Sequence, residues 1–268
     1  MAVRHTDAEL AHAAEDSFIE CYGMARTSSP GGILRRDSDL ILFQEGGQSK
    51  WVNGVLYARF TSKNKARKTE GVLSYFRERN LPMTWFVGPS STPPELGDYL
   101  RERGLTEGWT FPGMAIDLGI VQRQQLPVGL TIHVVSDMDS LQSCVDIAAE
   151  AYGFEDAARQ PFKNAYMGFG ISSTKRWFLG KLDGKPVAAS TLVLRRGLAV
   201  PWLVMTLREA RGRGIGTAMT RELLLLAKDM GYDFAVLQSS EKGLPVYEKM
   251  GFKEYCRIKT YSWSPKMQ

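Results

Sequence analysis

The chain has 268 residues, of which 44% are hydrophobic and 24% are charged, and its formal net charge is +5. This composition is typical of a soluble globular protein with one large domain or two ordinary ones. No apolar stretch approaches the roughly 20 residues that a helix needs to span a bilayer. The first residues show no basic-then-apolar secretion signal, so we expect a cytoplasmic protein with no membrane partner.

Charge and cysteine spacing limit the ligands that the chain is expected to bind. The positive net charge suits an anionic, phosphate-rich ligand. The densest basic run, Lys63 to Lys68, has no interleaved aromatic residues, so no nucleic-acid partner is predicted. The three cysteines, Cys21, Cys144 and Cys256, are widely spaced and lack the pattern of a zinc site or a disulfide framework. We therefore expect reduced thiols and no bound metal.

A polar segment near the middle of the chain predicts a boundary between two domains. Residues Gly119 to Gly129 place glutamine and arginine between two apolar runs and end in proline and glycine, which is typical of a linker. We predict an N-terminal α/β domain over residues 1–120 and a C-terminal domain over residues 129–268.

The N-terminal half predicts a mixture of helices and strands without a phosphate-binding loop. Apolar residues at helical spacing predict a first helix over Asp7 to Ala25. The other predicted elements are strands over Asp39 to Phe43, Val52 to Phe60, Met83 to Val87 and Gly113 to Leu118, and helices over Thr69 to Arg79 and from Pro93 to Gly104.

The C-terminal half predicts an antiparallel meander that leads into a long helix. Asp183-Gly184 between two apolar runs is a strong hairpin signal, and apolar residues recur every three or four positions from Ile215 to a glycine cap at Gly231. In chain order the predicted elements are a strand over Thr131 to Val135, a helix capped by Ser136 or Asp137, a second helix within Tyr152 to Phe169, strands over Arg176 to Leu182, Val187 to Leu194 and Val200 to Leu207, the long helix, a strand over Phe234 to Gln238, a helix over Glu241 to Met250 and a strand over Tyr255 to Trp263.

The loop between the third meander strand and the long helix carries the clearest functional signal. It reads Arg211-Gly212-Arg213-Gly214-Ile215-Gly216, so three glycines lie where the chain turns from strand to helix. Without side chains the backbone can approach a ligand closely, and the first turn of a helix offers unpaired N–H groups and partial positive charge. A pyrophosphate group suits such a site.

Three phosphate-binding designs compete for this loop. A Walker loop needs Gly-Lys followed by serine or threonine, whereas Gly216 is followed by Thr217 and Ala218. A dinucleotide-binding fold needs alternating strands and helices and an acid after the next strand, where this chain has Gln238-Ser239. Coenzyme A is the remaining interpretation.

The loop and a second motif resemble the GNAT acyltransferase superfamily. Arg211-x-x-Gly214-x-Gly216 after a strand is similar to that family's pyrophosphate loop, and Val246-Tyr247-Glu248-Lys249-Met250-Gly251-Phe252 is similar to its next motif. The resemblance covers about Leu130 to Trp263. It implies an α/β fold with a mixed sheet and an enzyme that transfers an acyl group from acetyl-CoA to an amine.

The resemblance also implies roles for particular residues. Tyr247 matches the general acid that protonates the departing thiolate, and no base is assigned, because the strand before the loop has no carboxylate. A water relay, or one of Glu150, Glu155 and Asp156 near the end of the first helix, stays open. Two departures are Ser240, where the family often has asparagine, and Arg208, where it often has proline. The residues implied in cofactor binding are Val204, Met205, Thr206, Arg211, Gly212, Arg213, Gly214, Ile215, Gly216, Thr217 and Ser240.

The N-terminal half has an element order that suggests a degenerate second copy of the same fold. It would bind no cofactor and would instead line the acceptor cleft or mediate homodimerisation. The acceptor is expected to be the amine of a small molecule, with a protein amine as the alternative and a non-catalytic acyl-CoA sensor as a third possibility. Aromatic residues in Tyr152 to Phe169, and Trp177 and Phe178, are expected either to line the acceptor pocket or to pack the core.

Overall fold

The computed structural model describes residues 5–265 except residues 30, 46, 155 and 196. Each half contains three consecutive strands between two helices, a meander that the sequence predicts for the C-terminal half. The helices are α1 (Asp7–Thr27), α2 (Lys65–Glu78), α3 (Leu96–Glu102), α4 (Met138–Tyr152), α5 (Asp156–Phe169), α6 (Ile215–Asp229) and α7 (Leu244–Met250). The strands are β1 (Ile33–Arg36), β2 (Leu40–Gln44), β3 (Asn53–Ala58), β4 (Met83–Val87), β5 (Thr106–Asp117), β6 (Leu130–Val134), β7 (Lys175–Leu182), β8 (Lys185–Arg195), β9 (Leu198–Thr206), β10 (Phe234–Gln238) and β11 (Lys253–Trp263).

All of these strands form one mixed sheet, in the order β1-β2-β3-β4-β11-β5-β10-β9-β8-β7-β6. The last strand of each half lies in the other half: β5 pairs with β10, and β11 pairs with β4. The two exchanged strands pair antiparallel with each other at the centre of the sheet, from Lys253 opposite Ala115 to Ser262 opposite Thr106. The sheet is therefore continuous across the two halves of the chain. That residues 120–129 separate two independently folding domains stays a prediction.

The two halves repeat one order of elements around this central pair. The order α1-β1-β2-β3-α2-β4-α3-β5 in the first half corresponds to α5-β7-β8-β9-α6-β10-α7-β11 in the second. Each half also carries a bulge at the same place, because the register slips by one residue between β2 and β3 near Leu56 and between β8 and β9 near Leu203. The repeat agrees with the predicted degenerate second copy.

Four hydrophobic clusters pack against the sheet, and two of them lie on opposite faces of β10. Alternate residues of β10 belong to different cores, since Val236 packs with α1, α4 and α5, whereas Ala235 and Leu237 pack with α6. Helix α1 can lie close to the centre of the sheet because Gly113 has no side chain: a Cβ atom there would be 3.1 Å from Ala14 Cβ of α1 and 2.4 Å from Cys256 Sγ of β11. None of the helices in the described part of the chain is long and apolar enough to cross a membrane.

The middle strands of each half diverge after a short parallel ladder. Strand β9 pairs with β10 only at Leu198 and Ala199, and β3 pairs with β4 only at Gly54 and Val55. In the N-terminal half the resulting gap is closed by the segment after β4. Within it, Thr92 accepts a backbone hydrogen bond from Phe60 and donates one to Ala58.

The sequence placed several element ends wrongly. Strand β5 begins at Thr106 rather than at Gly113, because its pairing with β11 carries it through the turn-favouring Gly108 and Pro112. Strand β1 was not predicted, since Ile-Leu-Arg-Arg lacks a polar and apolar alternation and is ordered by its pairing with β2. Helix α2 begins at Lys65 rather than Thr69, so the basic run is a helix start.

The close approach of β3 and β4, where their short ladder ends, can be tested by substitution. Gly54 has a φ of +149°, and a Cβ atom there would lie 1.8 Å from the Thr84 carbonyl oxygen. We expect Gly54→Ala to lower the free energy of unfolding by about 2–5 kcal/mol, because the two backbones would have to separate. Urea unfolding measures this loss.

Gly71→Ala is the matched control for the same added methyl group. Gly71 lies inside α2, and a Cβ atom there would meet nothing within 4 Å. It should raise the free energy of unfolding by roughly 0.5–1 kcal/mol, because alanine loses less backbone entropy in a helix. Equal effects of the two substitutions would contradict the close approach of β3 and β4.

Candidate active site

The bulge in β9 redirects the end of that strand into the open cleft of the C-terminal half. Leu203 is buried with a φ of +52°, an uncommon conformation for a residue with a side chain. Beyond it, Met205 and Thr206 remain paired with β8 on one edge, and β10 no longer covers the other edge of Val204, Met205 and Thr206. Backbone groups along that edge can pair with an extended ligand, as an added strand would. Pro201 was the available sequence signal, because proline within a strand marks an edge or a bulge.

The glycine loop delivers the N-terminus of α6 to the mouth of this cleft. Gly214 is the N-cap residue and has a φ of +74°, and no side chain caps the helix. The first backbone bond of the helix runs from the Ala218 N–H to the Gly214 carbonyl. The N–H groups of Ile215, Gly216 and Thr217 precede that bond and have no helical carbonyl to pair with. The loop therefore offers several adjacent donors to an anion.

The glycines of the loop leave space for a ligand. Gly212 and Gly214 need glycine for their positive φ, and added Cβ atoms would meet nothing within 4 Å at Gly212 and only Pro127, at 3.8 Å, at Gly214. Gly216 is different, because its backbone is helical and its added Cβ would only approach Thr206 Oγ1, at 3.8 Å. Glycine within a helix costs about 0.5–1 kcal/mol relative to alanine. No contact in the described structure requires glycine at position 216. A glycine there would, however, let a pyrophosphate approach the backbone closely.

Arg211 anchors the loop rather than pointing freely into it. Its Nε donates to the Thr206 carbonyl at 2.9 Å, and its Nη2 donates to the Ala151 carbonyl at the end of α4 at 3.1 Å. These bonds hold the loop against β9 and α4. Arg213 is exposed at the tip of the loop, and Ile215 is buried beneath it. Positive charge is thus present on both sides of the uncapped helix end.

Tyr247 lies on α7, beside α6 and next to the cleft. It is half-buried and packs at the margin of the core beneath α6, where its ring meets Phe252 edge to face at 5.6 Å. Burial raises the pKa of Tyr247 to about 12, and the neighbouring Thr220 hydroxyl lowers that pKa to a lesser extent. Thr220 also donates to the Gly216 carbonyl at 2.9 Å. The phenol is thus placed beside Thr220, one helical turn beyond Gly216 in α6, and it is protonated at neutral pH.

Ser240 lies at the turn between β10 and α7. Its hydroxyl oxygen accepts the Gly243 N–H at 3.1 Å, and its carbonyl accepts the N–H groups of Gly243 and Leu244. The side chain is exposed. Serine therefore orders the turn that leads to Tyr247, and its hydroxyl proton stays available to a ligand.

Of the three carboxylates predicted as bases, the structure describes the side chain of Glu150 alone. Glu150 is exposed on α4, and Glu155 and the side chain of Asp156 lie outside the described residues. Sequence reasoning missed two buried acids, Glu15 and Glu45, whose pKa values are raised mainly by burial. Both belong to the N-terminal half, and no motif in the sequence around them indicates that they are buried. Within the described residues, no group of three or more His, Cys, Asp and Glu side chains is placed to hold a metal ion.

These two acids have partners within the N-terminal half. Glu15 accepts the Ser90 N–H at 2.7 Å and so holds the segment that closes the first gap. Glu45 pairs with Arg26 at 2.9 Å. Both acids are therefore placed to stabilise the N-terminal half.

The N-terminal half lacks the features that make the loop before α6 receptive. At the start of α2, the Thr61 N–H donates to Asn64 Oδ1 at 2.9 Å and the Asn64 N–H donates to Thr61 Oγ1 at 3.3 Å. These two bonds occupy the Thr61 and Asn64 N–H groups in the turn that precedes α2. The cleft beside it is closed by the Thr92 bridge. The distinctive segment Trp85 to Pro94, to which the sequence attaches no chemistry, thus serves to close the degenerate copy.

Comparison with known proteins finds acetyltransferases among the sequence matches and a shared fold among solved structures. Residues 173–254 match the family model described as an acetyltransferase (GNAT) domain. The glucosamine 6-phosphate N-acetyltransferase of Trypanosoma brucei brucei is 43% identical over 47 residues, which are 18% of this chain and 32% of that protein. The chain spans less than half the length of the curated relatives that it matches.

Two solved structures share the fold over nearly the whole chain. A GCN5-related N-acetyltransferase from Kribbella flavida superposes with a TM-score of 0.71 at 19% identity and covers 95% of this chain and 96% of its own. A tandem GNAT protein from the clavulanic acid biosynthesis pathway gives a TM-score of 0.63 at 13% identity and covers 96% of both chains. The predicted mixed-sheet GNAT fold is confirmed, together with its tandem form.

Gly216 gives a test in which stability and cofactor binding change in opposite directions. Gly216→Ala should raise the melting temperature of the free protein, because the added methyl group is accommodated and favours the helix. The same methyl group should weaken acetyl-CoA binding by about 1–3 kcal/mol, roughly five- to 150-fold in Kd, by obstructing close approach to the backbone. Calorimetric titration measures the affinity.

Gly71→Ala is again the control, since it makes the same substitution in a helix of the other half. It should stabilise the protein and leave the acetyl-CoA affinity unchanged. Undiminished affinity in Gly216→Ala would show that the cofactor does not lie against this turn.

Proposed function

We propose that the protein transfers an acetyl group from acetyl-CoA to the primary amine of a small molecule, because residues 173–254 match the acetyltransferase (GNAT) family model. The observation that supports it best is the combination of an open β9–β10 cleft, an uncapped α6 N-terminus behind a glycine loop, and Tyr247 beside Thr220 of α6. Each part serves one step of an acyl transfer within a ternary complex.

Backbone groups carry most of the proposed cofactor binding. The N–H groups of residues 212–217 would hold the pyrophosphate, and Arg211 and Arg213 supply positive charge beside it. The free edge of β9 at Val204, Met205 and Thr206 would pair with the pantetheine arm, with Ser240 across the cleft. Bound in this way, acetyl-CoA supplies an acetyl thioester at the point where β9 and β10 separate.

Tyr247 is the proposed general acid. Attack of a neutral amine on a thioester forms a carbon–nitrogen bond and releases a thiolate, which needs a proton as it leaves. The Tyr247 phenol keeps its proton at neutral pH because its pKa is raised to about 12, so its Oη can donate to the departing sulfur. The proton lost by the amine passes to water in this proposal, since β9 carries no carboxylate in the described structure.

Replacing the phenol tests this proposal. Tyr247→Phe should lower kcat by about 100-fold or more, in the range of general acid catalysis, and leave the Kd for acetyl-CoA within about twofold. Tyr232→Phe is the matched control, because Tyr232 also packs at the margin of the core beneath α6 and its hydroxyl has no proposed role. The assay follows free thiol with a panel of amines.

Each outcome of that assay distinguishes among the candidate functions. Turnover with small amines that falls in Tyr247→Phe supports the proposal. Turnover only with peptide amines would show that the acceptor is a protein amine rather than a small molecule. Acetyl-CoA binding without turnover on any amine would favour an acyl-CoA sensor. Unchanged turnover in Tyr247→Phe would remove this residue from the mechanism.

The raised pKa of Tyr247 also predicts the shape of the pH profile. A general acid must be protonated, and an upward pKa shift keeps it protonated to higher pH. With an acceptor whose amine is already neutral, kcat should stay flat between pH 8 and about pH 10, because proton loss from Tyr247 begins only as the pH approaches about 12. A descending limb centred below pH 10 would identify a different acid.

A further inference from the structure

The exchanged strand β5 runs past the end of β10 and borders the open cleft. Gly113 of β5 pairs with Gln238, the last residue of β10, and the final contact is the Ser239 N–H to the Pro112 carbonyl at 2.8 Å. Residues 106–112 continue beyond this point, paired only with β11 in the described structure. An edge of a strand from the N-terminal half thus faces the cleft that β9 borders on its other side.

A row of four aromatic side chains connects this strand with the bulge of β9. Ring centroids are separated by 6.2 Å between Trp109 and Phe111, 6.0 Å between Phe111 and Phe18, and 6.2 Å between Phe18 and Trp202. Trp109 and Phe111 lie on the same face of β5, and Trp202 immediately precedes Leu203 in the bulge. The row therefore leads from the outer part of β5 to the strand proposed to hold the pantetheine arm.

The outer and inner ends of the row differ in exposure. Trp109 is 59% exposed, Phe111 and Trp202 are half-buried, and Phe18 is only 3% exposed. The indole of Trp202 is fixed by its hydrogen bond to Tyr166 Oη at 3.2 Å. The Trp109 ring is too exposed to contribute to the core. A ligand in the cleft could bury a large apolar surface against it.

The remaining aromatic residues near the cleft have structural roles. Phe162, Tyr166, Phe169 and Trp177 are at most 5% exposed and pack with α1 and α4. For these four residues and for Phe178, core packing is therefore the alternative observed, whereas Tyr152 is 42% exposed. The row from Trp109 to Trp202 is contributed mainly by elements of the N-terminal half and was not singled out in the sequence.

We propose that the body of the acceptor amine lies along this row, and that the acceptor is a primary amine carried on a flat aromatic or similarly apolar group. This inference rests on the acetyltransferase function proposed above and assigns its acceptor class. Aromatic rings at spacings of about 4.5–7 Å stack favourably on one another and on planar ligands. The N-terminal half, which has lost its own cofactor loop, then supplies one wall of the acceptor site through β5.

Charge at the outer end of the row disfavours a polycationic acceptor. Trp51 lies 5.5 Å from Trp109, and the Lys50 ammonium is 5.4 Å above the Trp51 ring. A second positive charge on the ligand would meet that ammonium at the rim of the row. Phenylethylamine should therefore be a better acceptor than an alkylamine of similar size, glucosamine or spermidine.

Trp109→Ala tests this assignment, because the exposed ring can be removed without opening the core. The KM for phenylethylamine should rise about two- to tenfold, which corresponds to one lost ring contact, while the KM for acetyl-CoA and the melting temperature stay unchanged. Trp109→Phe should restore most of the affinity. Val134→Ala is the control, since Val134 is 56% exposed on β6 at the far edge of the sheet.

A binding measurement separates this inference from the proposed activity. Calorimetric titration of phenylethylamine into Tyr247→Phe saturated with acetyl-CoA needs no turnover, and the Kd should rise by the same two- to tenfold when Trp109→Ala is added. Binding with that dependence but no turnover in the wild type would overturn the proposed function alone. Turnover of amines without preference for the aromatic one, no detectable binding of phenylethylamine, or equal affinities in Trp109→Ala and Val134→Ala would overturn the acceptor assignment.

Discussion

The antiparallel pairing of β5 with β11 is the contact on which the rest of the structure depends. Each of these strands belongs to one half of the chain and completes the sheet of the other half. Their ladder turns two incomplete sheets into one and sets the distance between the two divergent strand pairs. It also lets β5 extend beyond β10, so that a strand from the N-terminal half reaches the cleft of the C-terminal half. Separate domains joined only by a linker would not provide this shared wall.

The two halves use the same divergence of parallel strands in opposite ways. In the C-terminal half, the ladder between β9 and β10 ends after Ala199 and the gap stays accessible to the uncapped helix and to Tyr247. In the N-terminal half, Thr92 and the Glu15 carboxylate close the equivalent gap, and reciprocal bonds between Thr61 and Asn64 order the turn before the following helix. The divergence of two parallel strands, which can admit a ligand, therefore persists in both copies. Local hydrogen bonds decide in which copy the gap between those strands is open to a ligand.

Local patterns in the sequence were sufficient for most elements and for the loop. The strand at Met83–Val87, the helix that begins at Ile215 and the strand at Phe234–Gln238 have the predicted bounds or start, because periodicity and glycine act over a few residues. The full length of β5 could not be predicted, since its partner β11 lies far along the chain and overrides Gly108 and Pro112. The aromatic row was missed for the same reason: its members come from α1, β5 and β9 and become neighbours only through the exchange.

The strand exchange also constrains how the protein can be made. The N-terminal half is synthesised first, yet β4 and β5 can be joined only after β11, residues 253–263, has been added between them. Until β11 is made, the edges of β4 and β5 in the nascent chain are unpaired. Pairing between strands that are far apart in the sequence, such as β4 and β11, also forms slowly. Unpaired edges of this kind are prone to association with other chains. The emerging N-terminal half must therefore remain unassembled, or be protected, during most of translation.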